Sequence, residues 1–316
     1  MSERGAPPEA VSERGAPPEV WSRIDELGRW LDGSDGLVLG VDFDGTLAPI
    51  ADDHREPTLD PSAHGALRAL AAVPSIHLAV VSGRSRADLT ARVGVDGAVY
   101  AGNHGLELVT DDGAAVHSEA AGLGPTVRRA CDELDDRLGD ISGCVIERKG
   151  VTATVHFRRV HDDAVPEVTS TVEEVASAVD GIRVTAGKRV RELRPAVQWD
   201  KGETMRLLRE SAPDGWRTMY VGDDTTDEDA FRAIRPDGIG VYVADDGDGD
   251  GDRRTETAAS DRLGGQSDVV RLLVWLADRI DSRSSAAGAT DAREAVLATV
   301  VDREPFTRVR SSPSTA

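Results

Sequence analysis

The 316-residue sequence predicts an α/β protein with a Rossmann-like parallel-sheet core and an inserted α/β cap domain. Short apolar runs bounded by turn residues are typical of strands that are buried on both faces of a parallel sheet. Two such runs, Gly36 to Val41 and Thr218 to Val221, are each followed directly by carboxylates. A third run ends at Ser82, which lies 119 residues before Lys201. A βαβ crossover needs far fewer residues, so the intervening chain should contain a second domain.

The carboxylates after the first two runs predict a site for phosphate chemistry. Asp42 and Asp44 share a face because alternate side chains of an extended chain point the same way. Thr46 follows with a hydroxyl and an amide that can bind phosphate. Open parallel sheets bind ligands beyond the carboxyl ends of their strands, where the second run delivers Asp223 and Asp224. Since Mg²⁺ prefers oxygen ligands, this edge of the sheet is predicted to form a magnesium phosphotransfer site.

Two further segments add a hydroxyl, a guanidinium and an ammonium. Ser82-Gly83-Arg84 follows the third apolar run, and Asp200-Lys201-Gly202-Glu203 precedes the second acidic pair. The outer residues of the latter segment have the spacing of a helix-capping pair, which places Lys201 in the first turn of a helix, near its positive end. In chain order, an Asp pair, a Ser, a Lys and an acidic pair resemble the four motifs of the haloacid dehalogenase (HAD) superfamily of phosphatases.

This resemblance implies a role for each motif residue. Asp42 would attack phosphorus to give an aspartyl-phosphate, and Asp44 would act as general acid and then as general base. The implied Mg²⁺ ligands are Asp42, Asp44 through its main-chain carbonyl, Asp223 and Asp224, with Asp227 in support. The implied phosphate-binding residues are Thr46, Ser82, Arg84 and Lys201, which would face the oxygens where transition-state charge is spread.

The inserted segment is predicted to contain a helix and two strands, repeated once. The helices are predicted over Leu123 to Leu138 and Asp163 to Val179 from the spacing of their apolar residues. The strands are predicted over Cys144 to Lys149, Val151 to Val160, Ile182 to Ala186 and Arg189 to Leu193. Glu147 and Lys149 should share one strand face, as should Lys188 and Glu192 if the strand continues through the turn.

Lysine usage singles out three positions. Of the 37 basic residues, only Lys149, Lys188 and Lys201 are lysines. An ammonium is not interchangeable with the guanidinium that this chain otherwise uses. We expect all three to be functional, with codon bias as the alternative for Lys149 and Lys188. Two Glu and two Lys on one sheet offer the mixed donors and acceptors that sugar hydroxyls need. The alternative is a solvated cross-strand ladder of ion pairs.

From Gly36 to Ile280 the chain resembles trehalose-6-phosphate phosphatases. The likeness is carried by Ala101-Gly102-Asn103-His104-Gly105-Leu106-Glu107, Glu147-Arg148-Lys149, Gly187-Lys188 and Glu192. It implies disaccharide contacts at Glu147, Lys149, Lys188 and Glu192, and it adds Asn103 and His104 as candidate sugar-binding residues. For His104, support of the loop is an equal alternative.

The expected reaction is Mg²⁺-dependent hydrolysis of trehalose 6-phosphate to trehalose and phosphate in trehalose biosynthesis. The first alternative is another sugar phosphatase, acting on sucrose phosphate, mannosylglycerate phosphate or glucosylglycerol phosphate. A phosphomutase and a catalytically silent subunit of a trehalose-synthesis complex are alternatives of other classes. A trehalose-6-phosphate synthase is a candidate protein partner.

Composition bounds the remaining possibilities. The chain is 39% hydrophobic, has a formal net charge of −20 and contains two cysteines, Cys131 and Cys144, without metal-ligand spacing. It has no apolar stretch long enough for a membrane and no signal-peptide core at its polar start, so we expect a cytoplasmic protein. Its charge disfavours nucleic acid as a partner. Scarce Lys and abundant Asp favour adaptation to a high-salt cytoplasm, with an acidic interaction surface as the alternative.

Domain boundaries follow from these patterns. Residues 1–20, which repeat Ser2 to Glu9 as Ser12 to Glu19, should form a flexible extension. Residues 21–110 and 195–281 should form the HAD core, 111–194 the cap, and 282–316 a disordered tail. Asp245 to Asp252 matches the opening of a calcium loop, but Thr257 occupies the position that needs a bidentate Glu. A solvated acidic loop is therefore expected there.

Overall fold

The computed structural model describes residues 16–50, 58–187, 189–244, 257–287 and 300–309. The chain divides into two compact units. The core unit comprises the described residues of Met1–Ala115, Trp199–Arg303 and Arg308–Ala316, and the cap unit comprises Val116–Gln198 with Glu304–Thr307. The predicted boundaries of the insert, 111 and 194, each lie within five residues of the corresponding end of the long cap segment.

Strands and helices alternate along most of the chain. The strands are β1 (Gly36–Val41), β2 (Ile76–Val81), β3 (Val99–Gly102), β4 (Glu107–Thr110), β5 (Gly113–His117), β6 (Val145–Arg148), β7 (Ala153–His156), β8 (Ile182–Gly187), β9 (Val190–Pro195), β10 (Trp216–Gly222), β11 (Ile239–Val243), β12 (Asp261–Leu263) and β13 (Phe306–Val309). The helices are α1 (Ile24–Asp32), α2 (Pro61–Ala72), α3 (Arg86–Val93), α4 (Ser118–Ala121), α5 (Gly124–Leu138), α6 (Val165–Ser177), α7 (Lys201–Ser211), α8 (Asp227–Ala233) and α9 (Gln266–Ala287).

The larger sheet has nine strands in the order β12-β11-β10-β1-β2-β3-β4-β5-β13. Pairing is parallel from β12 through β3 and becomes antiparallel between β3 and β4. Every residue of β1 and β2 is buried, as expected for the apolar runs from which both strands were predicted. The α/β class is confirmed. Strand β1 lies between β10 and β2 and is parallel to both, so the segments that follow these three strands leave the sheet at the same edge.

The cap unit contains a four-stranded antiparallel sheet in the order β6-β7-β9-β8. Its elements follow the predicted order, α5-β6-β7-α6-β8-β9. On one face, Val155 and Leu193 pack with Val127 of α5 and Val172 of α6 in a buried cluster. Because side chains alternate along a strand, polar residues occupy the other face. The repeated helix-strand-strand pattern thus gives one sheet with an apolar face and a polar face.

The predicted disordered tail, 282–316, is wrong for the described residues within it. Helix α9 continues to Ala287, and residues 306–309 form β13. Val300, Val301 and Phe306 are buried, and burial of such apolar side chains stabilises the segment. The mostly polar composition of the tail gave no indication of this burial. In the described part of the chain, each helix is too short or too polar to cross a bilayer.

The predicted N-terminal extension also ends earlier than expected. Val20 is buried at the start of a 3₁₀ turn, and Glu19 forms a β-bridge with Arg262. Most of the repeated segment, the acidic loop Asp245 to Asp252 and Lys188 lie outside the described residues.

Candidate active site

The candidate catalytic residues lie beyond the carboxyl ends of three adjacent strands. Val41 at the end of β1 pairs with Val221 of β10 and with Val80 of β2. Asp42, Asp223 and Ser82 follow these strands directly. Asp42 continues the pairing for one residue, since its N–H donates to the carbonyl of Val221 at 2.9 Å. Residues far apart in sequence therefore meet at one edge of the sheet, where ligands of open parallel sheets bind.

Lys201 lies at the start of helix α7. The N-cap of this helix is Asp200, whose Oδ1 accepts a hydrogen bond from the Glu203 N–H at 2.9 Å, as the capping-pair spacing predicted. Lys201 is the first helical residue and is only 2% exposed. Its Nζ lies 2.9 Å from Asp42 Oδ1 and 2.7 Å from Asp227 Oδ1. The ammonium thus joins two carboxylates in a site closed to solvent.

Asp227 is the most constrained carboxylate of this cluster. It is fully buried, and its Oδ1 also accepts a hydrogen bond from the Tyr220 hydroxyl at 2.7 Å. Its Oδ2 accepts from the N–H groups of Asp223 and Asp224 at 3.1 and 2.9 Å. These contacts hold the turn after β10. Asp227, expected only in support, is therefore central to the geometry of the site.

Three carboxylates form a potential cation site. Oxygens of Asp42, Asp223 and Asp227 all lie within 4.8 Å of one another. The side chain of Asp224 accepts a hydrogen bond from the Thr225 hydroxyl at 3.2 Å and is not one of these three. Three hard oxygen donors so close together suit Mg²⁺, so the residues fit the predicted ion. The ligand roles of Asp44 and Asp224 stay predictions.

The protonation equilibria of the cluster reflect its burial. Burial raises the pKa of Asp42 well above its usual range, and the nearby Asp227 and Asp223 raise it further, although Lys201 opposes them. Burial, followed by repulsion from Asp227, raises the pKa of Asp223 to about 7. Burial alone would lower the pKa of Lys201, but Asp227 and Asp42 more than offset this and raise it. One ammonium among three carboxylates leaves excess negative charge that a bound cation would neutralise.

Gly45 and Thr46 fit against the second acidic motif. Gly45 has a φ of +87°, and a Cβ there would lie 2.1 Å from Asp223 Oδ2, so the turn requires glycine. The Thr46 hydroxyl donates to Asp223 Oδ1 at 2.9 Å. Thr46 therefore fixes a carboxylate of the cation site in this structure, and its predicted contact with phosphate stays a prediction.

Arg84 lies against Asp44. Its Nη2 and Nε contact the two carboxylate oxygens of Asp44 at 2.6 and 2.8 Å, and its Nη1 contacts Asp88 at 2.7 Å. The Asp44 side chain itself remains 36% exposed. The Arg84 guanidinium thus contacts the carboxylate of Asp44, the residue predicted to act as general acid and general base. Its predicted phosphate contact, like that of the buried Ser82, stays a prediction.

The segment after β3 is a tightly bonded loop. Asn103 and His104 adopt left-handed backbone conformations, with φ of 51° and 58°. Their N–H groups donate to the carbonyls of Arg84 and Ser82 at 2.7 and 2.8 Å. The Asn103 side chain is fully buried and donates to Glu107 at 2.6 Å. These contacts favour loop support as the role of His104, and extend that interpretation to Asn103; sugar contact by either residue stays a prediction.

Two of the predicted sugar-binding residues of the cap, Glu147 and Glu192, lie in one row of its sheet. Glu147 of β6 pairs with Thr154 of β7, which pairs with Glu192 of β9. Lys149 Nζ lies 2.5 Å from Glu192 Oε1, and both residues are buried. Their burial is inconsistent with the alternative of a fully solvated ladder of ion pairs. Lys188, the fourth predicted residue of this set, lies outside the described residues.

Sequence reasoning missed three contacts of the two sites. These are the hydrogen bond of Tyr220 to Asp227, the pairing of Arg84 with Asp44, and the contact of His156 with Glu147. Nothing in the sequence signalled the first two. The alternation of β7 could have found the last of these, because His156 lies two residues after Thr154 and so on the same face.

Together the parallel sheet, the acidic strand ends and the inserted cap define a haloacid dehalogenase-like fold. A haloacid dehalogenase-like hydrolase from Bacteroides thetaiotaomicron shares this fold, with a TM-score of 0.51 and 15% identity over 77% of this chain and 100% of that one. The family model described as trehalose-phosphatase matches residues 40–261. The chain belongs to the trehalose-phosphatase family, and the predicted resemblance is confirmed.

Individual relatives agree with this assignment. The trehalose-phosphate phosphatase of Mycobacterium marinum is 43% identical over 214 residues, which cover 66% of this chain and 54% of that protein. This chain therefore spans about half the length of that relative. The C-terminal domain of a trehalose-6-phosphate phosphatase from C. albicans has the same fold, with a TM-score of 0.68 and 24% identity over 84% of this chain and 99% of that one.

Proposed function

We propose that this protein hydrolyses trehalose 6-phosphate to trehalose and phosphate, with Mg²⁺ as cofactor and an aspartyl-phosphate intermediate on Asp42. The observation that carries the proposal is the buried contact of Lys201 with Asp42 and Asp227. Burying charges is costly unless they are paired, and a structural role would be met as well by apolar residues. Retention of all three charges at a strand end favours catalysis.

The chain's own residues would carry out two displacements. In the first, an Asp42 carboxylate oxygen bonds to phosphorus while the sugar oxygen leaves and takes a proton from Asp44. In the second, Asp44 removes a proton from water, whose oxygen bonds to phosphorus as the bond to Asp42 breaks. Phosphate leaves and both carboxyl groups return to their starting states. Lys201 would orient Asp42 and bind a non-bridging phosphate oxygen, together with Thr46, Ser82 and Arg84.

Asp42 and Asp223 would hold the Mg²⁺, with the main-chain carbonyl of Asp44 and the Asp224 carboxylate as further proposed ligands. Asp227, whose oxygens each accept two hydrogen bonds from the protein, would support these ligands. Bound there, the ion would supply the positive charge that lets an anionic carboxylate approach an anionic phosphate. The excess negative charge of the three carboxylates supports this assignment.

Sugar recognition is proposed for the cap. Glu147, Lys149, Lys188 and Glu192 would bind the disaccharide hydroxyls, and Asn103 and His104 are kept as candidates in the core unit. Family membership supports trehalose 6-phosphate over the phosphate esters of sucrose, mannosylglycerate and glucosylglycerol, and over phosphomutase activity. A cytoplasmic location, high-salt adaptation and partnership with a trehalose-6-phosphate synthase accompany this proposal.

The test is phosphate release with Mg²⁺ in molar KCl. Trehalose 6-phosphate is compared with sucrose 6-phosphate, glucose 6-phosphate and mannosylglycerate phosphate, with Asp42→Asn as the blank. We expect a strong preference for trehalose 6-phosphate and a loss of about a thousandfold or more in Asp42→Asn, because the amide cannot act as the nucleophile. Asp237→Asn, the same change at an exposed position of the core unit, is the matched control. Preference for another ester would reject the sugar assignment, and turnover by Asp42→Asn would reject the nucleophile.

A further inference from the structure

The polar face of the cap sheet carries two acid-base pairs of different kinds. Glu192 lies on β9, an inner strand, and contacts Lys149 at 2.5 Å. Glu147 lies on β6, an edge strand, and its Oε2 is 2.8 Å from Nε2 of His156. Each predicted sugar-binding carboxylate is thus held by a basic side chain. Lys149 was itself predicted to bind sugar, whereas nothing had given His156 a role.

The position of His156 suits it to orient Glu147. His156 is opposite Val145 on β6, and Glu147 lies two residues farther along the same face. The imidazole therefore reaches Glu147 diagonally across two paired strands, a distance that long side chains span. Both side chains are about four-fifths covered, with 23% of His156 and 21% of Glu147 exposed. The pair is thus sheltered, yet one side remains open to a ligand.

The chemistry of the two groups decides which of them donates the hydrogen bond. A carboxylate only accepts hydrogen bonds, so the ring nitrogen of His156 must carry the proton. This bond to Oε2 restricts the orientation of the Glu147 carboxylate. Glutamate has several rotatable bonds, and β6 is an edge strand with a neighbouring strand on one side only. Loss of the imidazole would remove one restraint on the side chain, and the additional ordering needed on binding weakens affinity.

We infer that His156 is a positioning residue for Glu147 and thereby helps determine sugar specificity. The inference rests on the proposed function, because it assumes that Glu147 binds the sugar of the substrate. His156 acts on recognition of the sugar and not on phosphorus. Its loss should therefore raise KM for a sugar phosphate while leaving hydrolysis of a small aryl phosphate unchanged.

The test compares two replacements of His156. His156→Phe keeps a ring without a donor, and His156→Gln restores an N–H donor. With trehalose 6-phosphate, we expect kcat/KM to fall about 10-fold or more in His156→Phe, mainly through KM, since a hydrogen bond to a charged group is worth about that factor. His156→Gln should recover most of this loss. Neither variant should change kcat/KM for 4-nitrophenyl phosphate, and His161→Phe, at an exposed histidine, should match wild type on both substrates.

A double-mutant cycle completes the experiment. If His156 acts through Glu147, His156→Phe should have little further effect in a Glu147→Gln background. Additive losses, or equal losses on both substrates, would overturn the inference. If wild type prefers a different sugar phosphate, the proposed substrate is rejected, and the same cycle on the preferred ester decides the role of His156.

Discussion

The core and cap units hold their functional charges differently. In the core unit, Lys201 contacts Asp42 and Asp227, and all three side chains are at most 6% exposed. In the cap unit, the Lys149–Glu192 pair is also largely buried, but Glu147 and His156 each keep about a fifth of the side chain exposed. Removing one member of a buried charge network leaves an uncompensated buried charge and is strongly destabilising, whereas a partly exposed pair contributes little to stability. We therefore expect loss of a charge from the core network to cost more stability than loss of one from the Glu147–His156 pair.

The largest effect should follow removal of the core ammonium. Lys201→Met leaves Asp42 and Asp227 without their shared cation, so we expect turnover of every ester to be lost. The free energy of unfolding should fall by about 3–5 kcal/mol, the usual consequence of breaking a buried ion pair. Urea unfolding without Mg²⁺ measures this, and Arg209→Met, at an exposed position on the same helix, is the control. Stability equal to that of wild type would show that the cluster tolerates the loss, against the contrast drawn above.

A smaller and selective effect should follow removal of the cap ammonium. Lys149→Ala removes the 2.5 Å contact to Glu192 without touching the core cluster. We expect kcat/KM for trehalose 6-phosphate to fall about 10- to 100-fold, a range typical of lost charged contacts, while 4-nitrophenyl phosphate is unaffected. Lys188→Ala should behave in the same way. Equal losses on the two substrates would place these lysines outside the sugar site.

The smallest effect concerns pH and metal. The pKa of Asp223 is raised to about 7, so in the metal-free protein its ionisation destabilises the fold as pH rises from about 4 to 7. Since Mg²⁺ binds the ionised carboxylate, it should raise Tm more at about pH 8 than at about pH 6. Thermal unfolding with and without Mg²⁺ at both pH values measures the difference. Asp223→Asn should reduce this difference, and equal shifts in wild type at both pH values would contradict the assignment.

The core site was more predictable from the sequence than the cap. Strand rules placed Asp42 and Asp223 at one sheet edge, a capping rule placed Lys201 in the first turn of a helix, and the resemblance to the phosphatase motifs joined Lys201 to the same site. In the cap, alternation put Glu147 and Lys149 on one strand face, but the row that Glu147 shares with Glu192 depends on the order of the strands. The contacts of Arg84 with Asp44 and of Tyr220 with Asp227 depend on how separate elements meet, which local patterns do not encode. The strand β13 was missed because the buried Phe306 and Val300 stand in a mostly polar tail.

The pairing of β1 with β10 has a consequence for synthesis of the protein. Gly36 pairs with Trp216, 180 residues later, whereas the whole cap sheet is contained in residues 145–195. Local contacts form sooner than distant ones, so the cap sheet can fold before β10, the strand that pairs with β1, has been synthesised. During translation the apolar β1 lacks that partner until the ribosome has passed Gly222. A chain that terminates before this point contains Asp42 but neither Asp223 nor Asp224, so we expect it to release no phosphate.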